Sequence, residues 1–273
     1  MSERYAVIGN PVAHSQSPFI HAEFARAENR PLVYERLPAA IDAFAATVDD
    51  FVKNGGRGLN VTMPFKEDAF HYASELSERA RLAGAVNTLT FRDGKVYGDN
   101  TDGTGLVQDI VGNMDFPLAG KRVLVLGAGG AVRGVLGPLL QEQPESLLIA
   151  NRTLIKADAL ARHFSALGNC QAISYDELEG QVFDVVINGT PTSLQQLLPP
   201  IPHGLFTART LAYDLVYGSG LTLFLQRAQS ENAGMLVDGL GMLVEQAAES
   251  YFLWHGVKPE TRNVTNMLRE LLA

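Results

Sequence analysis

The chain has 273 residues, 46% of them hydrophobic, a single cysteine and a formal net charge of −8. That length holds two modest domains, each with its own core; the lone Cys170 excludes an internal disulfide and fits a reducing, cytoplasmic setting. An acidic balance without any Lys/Arg-rich run argues against a nucleic-acid partner, no apolar run is long enough to cross a bilayer, and the histidines show no metal-ligand spacing such as H-E-x-x-H.

The first residues, MSERYAVIGN, lack the basic start and long apolar region of a signal peptide. Tyr5–Ile8 reads as a strand closed by Gly9-Asn10-Pro11. Ser17-Pro18 then reads as a helix start, with Ser17 as cap and Pro18 at the first helical position. Two hydroxyls, Ser15 and Ser17, just ahead of a helix N-terminus also suit a carboxylate clamp; plain capping is the simpler reading of these residues alone. Leu32–Leu37 suggests a second strand, Ile41–Lys53 a helix ended by Gly55-Gly56, and Gly58–Thr62 a third strand. Met63-Pro64-Phe65-Lys66 opens the next helix. Lys66 stands at a strand-to-helix corner, where sites form in α/β folds, although an isolated lysine is usually just solvated. Val86–Phe91 and Lys95–Tyr97 read as strands joined by the hairpin signal Asp93-Gly94. The polar run Gly98–Gly103 is expected to lie outside the core, as a domain boundary and a candidate site loop. Thr104–Asn113 reads as a linking helix.

Arg122–Thr153 carries the strongest local signal. An apolar run, Val123–Leu126, stops at Gly127-Ala128-Gly129-Gly130; an amphipathic run follows to about Gln141, then a second apolar run, Leu147–Ala150. This is strand, tight turn, helix, strand: the context in which a G-x-G-x-x-G turn cradles a dinucleotide pyrophosphate on the N–H groups of a helix start. The third fingerprint position is Val132 rather than Gly or Ala, so helix and strand are expected to sit slightly further apart there. At the end of the second strand an NAD site usually carries an acid for the ribose 2′-OH. Here the residues are Asn151-Arg152-Thr153, with Lys156 a turn later. A guanidinium pairs with a 2′-phosphate where a carboxylate would repel it, which selects NADP over NAD; the bland alternative is a turn asparagine beside a solvated arginine. Further strands are expected at Ala172–Tyr175, Val182–Asn188, Leu211–Val216 and Gly234–Val237, six in all, as a doubly wound fold requires. Leu240–Trp254, stopped by Gly256, and Pro259–Leu272 read as closing helices whose apolar faces need cover.

The stretches GNPVAHSQSPFIH, NVTMPFK, GAVNTL, GDNTDG, GAGGA, NRT and DGLGMLVEQA, in this order along nearly the whole chain, resemble the shikimate dehydrogenase family. The resemblance implies a two-domain α/β protein: a substrate-binding catalytic domain over 1–103, a Rossmann NADP-binding domain over 104–240, and C-terminal helices over 241–273 that return to the first domain. It implies NADPH-dependent reduction of 3-dehydroshikimate to shikimate, in aromatic amino-acid biosynthesis, and leaves a homodimer open as the assembly. Ser15 and Ser17 would hold the substrate carboxylate, Lys66 and Asp102 would be the catalytic pair, and Thr62, Asn87, Tyr217 and Gln246 would bind or line the substrate pocket. Gly127, Ala128, Gly129, Gly130 and Ala131 match the pyrophosphate loop; Asn151, Arg152, Thr153 and Lys156 match the 2′-phosphate end; Thr190, Leu215 and Gly239 fall beside the nicotinamide half. Glu78 matches a position credited with cofactor contact, or is a helical surface acid. Two departures join Val132: Asn188-Gly189-Thr190-Pro191 stands where the family often has Asn-Ala-Thr-Ser, and Leu215 where methionine is common, a near-isosteric change. The rival readings are a quinate/shikimate dehydrogenase using NAD, which Arg152 opposes, and a non-catalytic NADP-sensing module, which the intact Lys66 and Asp102 oppose.

Overall fold

The computed structural model describes residues 3–273. The chain divides into two compact units: residues up to Gly105 with Val244–Leu268, and Leu106–Leu243 with Arg269–Ala273.

The first unit begins β1 (Glu3–Gly9), α1 (Ser17–Ala27), β2 (Leu32–Pro38), α2 (Phe44–Lys53), β3 (Gly56–Val61) and α3 (Lys66–Tyr72). It continues β4 (Glu75–Leu76), α4 (Glu78–Ala83), β5 (Thr88–Arg92), β6 (Lys95–Asp99) and α5 (Asp102–Val107). Its sheet runs β2-β1-β3-β5-β6-β4. β1 pairs in parallel with both β2 and β3, and β5 is antiparallel to β3 and β6. The β5–β6 turn is the two-residue hairpin expected: Asp93 and Gly94 both have positive φ, 54° and 71°, as a type I′ turn demands. α2 starts three residues later than the apolar pattern suggested, since Ile41 is 76% exposed and stays outside the core. From Phe44 on, Phe44, Val48 and Phe51 share one face and enter the core with Ile8, Leu59, Phe65 and Leu89.

The second unit carries β7 (Arg122–Leu126), α6 (Gly130–Gln141), β8 (Ser146–Ala150), α7 (Leu154–Phe164) and β9 (Cys170–Ile173). β10 (Val185–Asn188), β11 (Leu211–Asp214), α8 (Leu223–Ser230) and β12 (Met235–Asp238) follow. All six strands are parallel, in the order β12-β11-β10-β7-β8-β9. The chain therefore winds outward from β7 one way and from β10 the other, and the β7/β10 junction is the topological switch point where ligands bind such sheets. Every residue of β10 and β11 is buried, which is why these strands read as continuous apolar runs. β9 ends at Ile173 rather than Tyr175, because the N–H and hydroxyl of Ser174 both turn to the Glu177 carboxylate, at 2.9 and 2.7 Å.

The expected linking helix is two kinds of helix, α5 and a π-helical turn over Gln108–Asn113. The closing helices are α9 (Leu240–His255) and α10 (Arg262–Leu272). In the first unit α9 lies directly on the sheet. The Trp254 indole N–H donates to the Leu89 carbonyl at 3.1 Å, and a Cβ on Gly58 would stand 2.5 Å from that indole nitrogen, so only glycine fits there. Among the described residues no helix is long and apolar enough to cross a membrane.

Candidate active site

In the first unit the chemistry-bearing side chains gather at the carboxyl ends of β1 and β3 and the exit of β6. Ser17 is the first residue of α1 and not its cap: Gln16 holds the cap position, with no side-chain oxygen bonded to the helix start. The preceding serine does the local work instead. Ser15 Oγ accepts from the Ser17 N–H at 3.3 Å and donates to Ser17 Oγ at 3.2 Å, while Arg36 grips the Ser15 carbonyl with Nε and Nη2 at 3.1 and 2.7 Å. Two hydroxyls thus sit side by side at a helix start with no acid in its first turn, a setting that suits a carboxylate.

Lys66, the first residue of α3, donates from Nζ to Asp102 Oδ2 at 2.5 Å, with both side chains mostly shielded. The other oxygen, Oδ1, accepts from Asn87 Nδ2 at 2.9 Å. Asn87 is itself locked, because its Oδ1 accepts from the Thr101 N–H at 2.8 Å, and Nδ2 also reaches Thr101 Oγ1 and Gln246 Oε1. The structure therefore brings Lys66, Asn87, Asp102 and Gln246 into one network. Thr62 is half-buried at the end of β3, its N–H bonded to the Ile8 carbonyl at 3.0 Å.

The Gly98–Gly103 run corrects the expectation that it lies outside the core. Asn100, Thr101 and Asp102 are 2%, 0% and 6% exposed. Polar groups can be buried when each is bonded, and here Asn100 Nδ2 bonds the Ala85 carbonyl, Asn100 Oδ1 accepts from the Asp102 N–H, and Thr101 Oγ1 bonds the Gln246 carbonyl.

Glu78 opens α4 on the exposed surface of this unit; its neighbour Ser77, not Glu78, caps the helix, accepting from the Ala80 N–H at 3.1 Å. Tyr217 stands in the second unit, half-buried after β11, where burial and then the Asp238 carboxylate push its hydroxyl pKa up.

In the second unit the glycine turn joins β7 to α6. Gly127 has φ +109°, so the turn needs a glycine there. A Cβ on Gly129 or Gly130 would meet nothing within 4 Å: the space above the turn is open. Ala128 and Ala131 flank it, and α6 starts with neither a side-chain cap nor an acid in its first turn, so its free N–H groups fit an anion. Beyond β8, Asn151 Nδ2 bonds the Thr153 carbonyl at 3.0 Å, and Arg152 and Lys156 are exposed, as a 2′-phosphate would require. Thr190 follows β10, its N–H and hydroxyl both bonded to Asn188 Oδ1 at 3.2 and 2.6 Å. Gly239 follows β12, where a Cβ would lie 2.2 Å from the Leu215 carbonyl. The β10 and β11 loops are tied by Asp214, which accepts from Ser193, Thr222, Asn188 and the Val216 N–H; burial raises its pKa against these donors. Val132 is fully buried and packs against Gly189, where a Cβ would lie 2.5 Å from Val132 Cγ2.

Sequence reasoning missed Arg79. Its guanidinium bonds Asp99 twice, at 2.6 and 3.1 Å, and Thr104 and Glu249 at 2.9 Å each, so it staples both ends of the segment bearing Asp102. It missed Asp214 as well. A single charge reads as solvated, and partners up to 170 positions away leave no local pattern.

Three family models match the chain: the shikimate dehydrogenase substrate binding domain over 7–89, shikimate/quinate 5-dehydrogenase over 106–198, and the shikimate 5'-dehydrogenase C-terminal domain over 239–269. The chain belongs to the shikimate dehydrogenase family. A shikimate dehydrogenase (NADP(+)) of Chromobacterium violaceum is 69% identical over 273 residues, the whole of both chains. A shikimate dehydrogenase crystallised with NADP+ superposes with a TM-score of 0.89 at 30% identity, covering 100% of this chain and 96% of that one. The shikimate 5-dehydrogenase of Thermus thermophilus, in complex with NADP(H) and shikimate, superposes with a TM-score of 0.86 at 32% identity, covering 99% of this chain and 100% of that one.

Proposed function

We propose that this protein catalyses the reversible NADPH-dependent reduction of 3-dehydroshikimate to shikimate. The observation that carries the reading is the Lys66–Asp102 pair, 2.5 Å apart with side chains 19% and 8% exposed. NADPH, when bound, supplies the hydride; the protein's task is to hold the substrate and handle one proton. The Lys66 ammonium, a donor aimed by Asp102, protonates the substrate oxygen in reduction and takes the proton back in oxidation. Asn87 keeps the Asp102 carboxylate turned toward Lys66 and, with Gln246, would line the substrate pocket. Ser15 and Ser17 would hold the substrate carboxylate, and Thr62 would line the pocket in the same unit. The Gly127–Ala131 turn would hold the pyrophosphate, and Arg152 with Asn151, Thr153 and Lys156 the 2′-phosphate. Thr190, Leu215 and Gly239 would border the nicotinamide half. On this reading 1–103 is the catalytic, substrate-binding domain, 104–240 holds the cofactor, and 241–273 returns to the catalytic domain.

The test is a spectrophotometric assay of the purified protein with shikimate or quinate and NADP or NAD, following the reduced nicotinamide. Turnover of shikimate with NADP is expected. Turnover of quinate with NAD at equal efficiency would favour the quinate-using reading, and no turnover would leave a binding module.

A further inference from the structure

We infer that Val132 and Gly189 form a matched pair that sets the spacing between the glycine turn and the Thr190 loop, and so positions the cofactor. This rests on the NADP reading above. A small residue at the third fingerprint position normally lets the helix close on the strand. Here that position holds a valine, fully buried in the first turn of α6. The missing small residue stands across the contact, as Gly189. Gly189 does not adopt the positive φ that calls for glycine elsewhere in the chain; space is what requires it. A Cβ there would lie 2.5 Å from Val132 Cγ2, with the Leu126 carbonyl oxygen at 3.3 Å and Leu215 Cδ1 at 3.4 Å.

That contact is not relieved by a side-chain rotation. A valine in a helix has one strongly preferred χ1, and its surroundings are close-packed, so either α6 or the loop must move. Both carry proposed cofactor contacts. The Gly189 N–H donates to the Leu126 carbonyl at 2.9 Å, and the Gly189 carbonyl oxygen would lie 3.2 Å from a Cβ on Gly127. The loop therefore rests directly on the first glycine of the turn, and Thr190, the next residue, is rigidly bonded to Asn188. A displacement at position 189 separates the residues placed at the pyrophosphate from the one placed at the nicotinamide half.

The test is a double-variant cycle read by NADP affinity in calorimetry, with shikimate kinetics and melting temperature measured alongside. Gly189→Ala is expected to raise the Kd for NADP by about tenfold, a modest share of what overpacking a core costs, and to leave the KM for shikimate unchanged. Val132→Ala alone is expected to lower the melting temperature through the cavity it leaves. Val132→Ala with Gly189→Ala should bind NADP close to wild type. The inference is overturned if Gly189→Ala binds NADP normally, if the double variant binds as weakly as Gly189→Ala, or if the KM for shikimate rises in step with the Kd. Should Gly189→Ala not fold, a folded double variant with wild-type affinity supports the pairing and a weakly binding one overturns it. Wild-type protein that fails to oxidise shikimate with NADP would sink the functional reading; normal wild type with an indifferent Gly189→Ala sinks the pairing alone.

Discussion

Replacing Asp102 by asparagine keeps the shape of the side chain and changes only what it can accept. The carboxylate takes one bond from Lys66 Nζ at 2.5 Å and one from Asn87 Nδ2 at 2.9 Å. Both neighbours are fixed donors. The ammonium has no acceptor, and the Asn87 amide cannot turn over because its Oδ1 already accepts from the Thr101 N–H at 2.8 Å. Whichever way the new amide points, its NH₂ meets a donor. If it faces Lys66, a charge-assisted bond worth about 1.5–3 kcal/mol is lost and a largely buried donor is left unsatisfied at a further cost of about 1–3 kcal/mol. Lys66 is then no longer held where the substrate oxygen gains charge, and a loss of that size in the transition state alone amounts to about 10²–10⁴ in kcat. The assay is initial-rate kinetics in both directions, with NADP affinity and a thermal melt as checks that the fold survives. Asp102→Asn with near-normal kcat at saturating shikimate would refute the reasoning, because the bond to Lys66 would then be a structural tie only.

Lys66→Ala is expected to lower kcat by a similar factor, about 10²–10⁴, and the Lys66→Ala/Asp102→Asn double variant to cost little more than the worse single one, since the two act as a unit; multiplying losses in steady-state kinetics would contradict this. Ser15→Ala with Ser17→Ala should raise the KM for shikimate strongly, each lost hydroxyl bond to a carboxylate being worth about 1.5–3 kcal/mol, while Kd for NADP stays put; an unchanged KM would return both serines to a purely local role. Arg152→Asp should narrow or reverse the preference for NADP over NAD, and wild-type use of NAD as well as NADP would defeat the electrostatic argument. The protein should lose stability in acid. Burial first, and for His255 also the Arg30 charge, lowers the pKa of His21 to about 3 and of His255 to about 4. Both imidazoles stay neutral when folded but take up protons in the unfolded chain as pH falls through about 6.5. Their contribution is complete above that pH and falls by about 1.4 kcal/mol per histidine per pH unit on the way down to about 4. Urea midpoints at pH 6.5 and 4.5 measure it, and equal midpoints would show that neither histidine is held neutral.

Local patterns in the sequence were enough to determine the doubly wound half. Strands buried on both faces write themselves as apolar runs, the Gly127 turn must interrupt them, and the charge of Arg152 and Lys156 needs no partner to be read. The order of motifs was enough to identify the family and to single out Lys66 and Asp102. What these residues touch could only be decided by tertiary structure. Asp102 lies in a stretch so polar that it read as outside the core; it is buried because Asn100 and Thr101 of that same stretch bond with groups from elsewhere in the chain, among them Asn87 and Gln246. Arg79 and Asp214 carry no local pattern that marks them, because the fold supplies their partners, and Ser17 looked like a cap until the backbone made it the first helical residue. Val132 looked like a lapse in the fingerprint, because a sequence read along one strand and helix cannot show that a glycine at position 189 leaves the space for it. Periodicity and turn chemistry report a residue's own backbone, whereas burial of charge and the fit of one side chain against another depend on contacts between segments far apart in the chain, and folding alone brings those together.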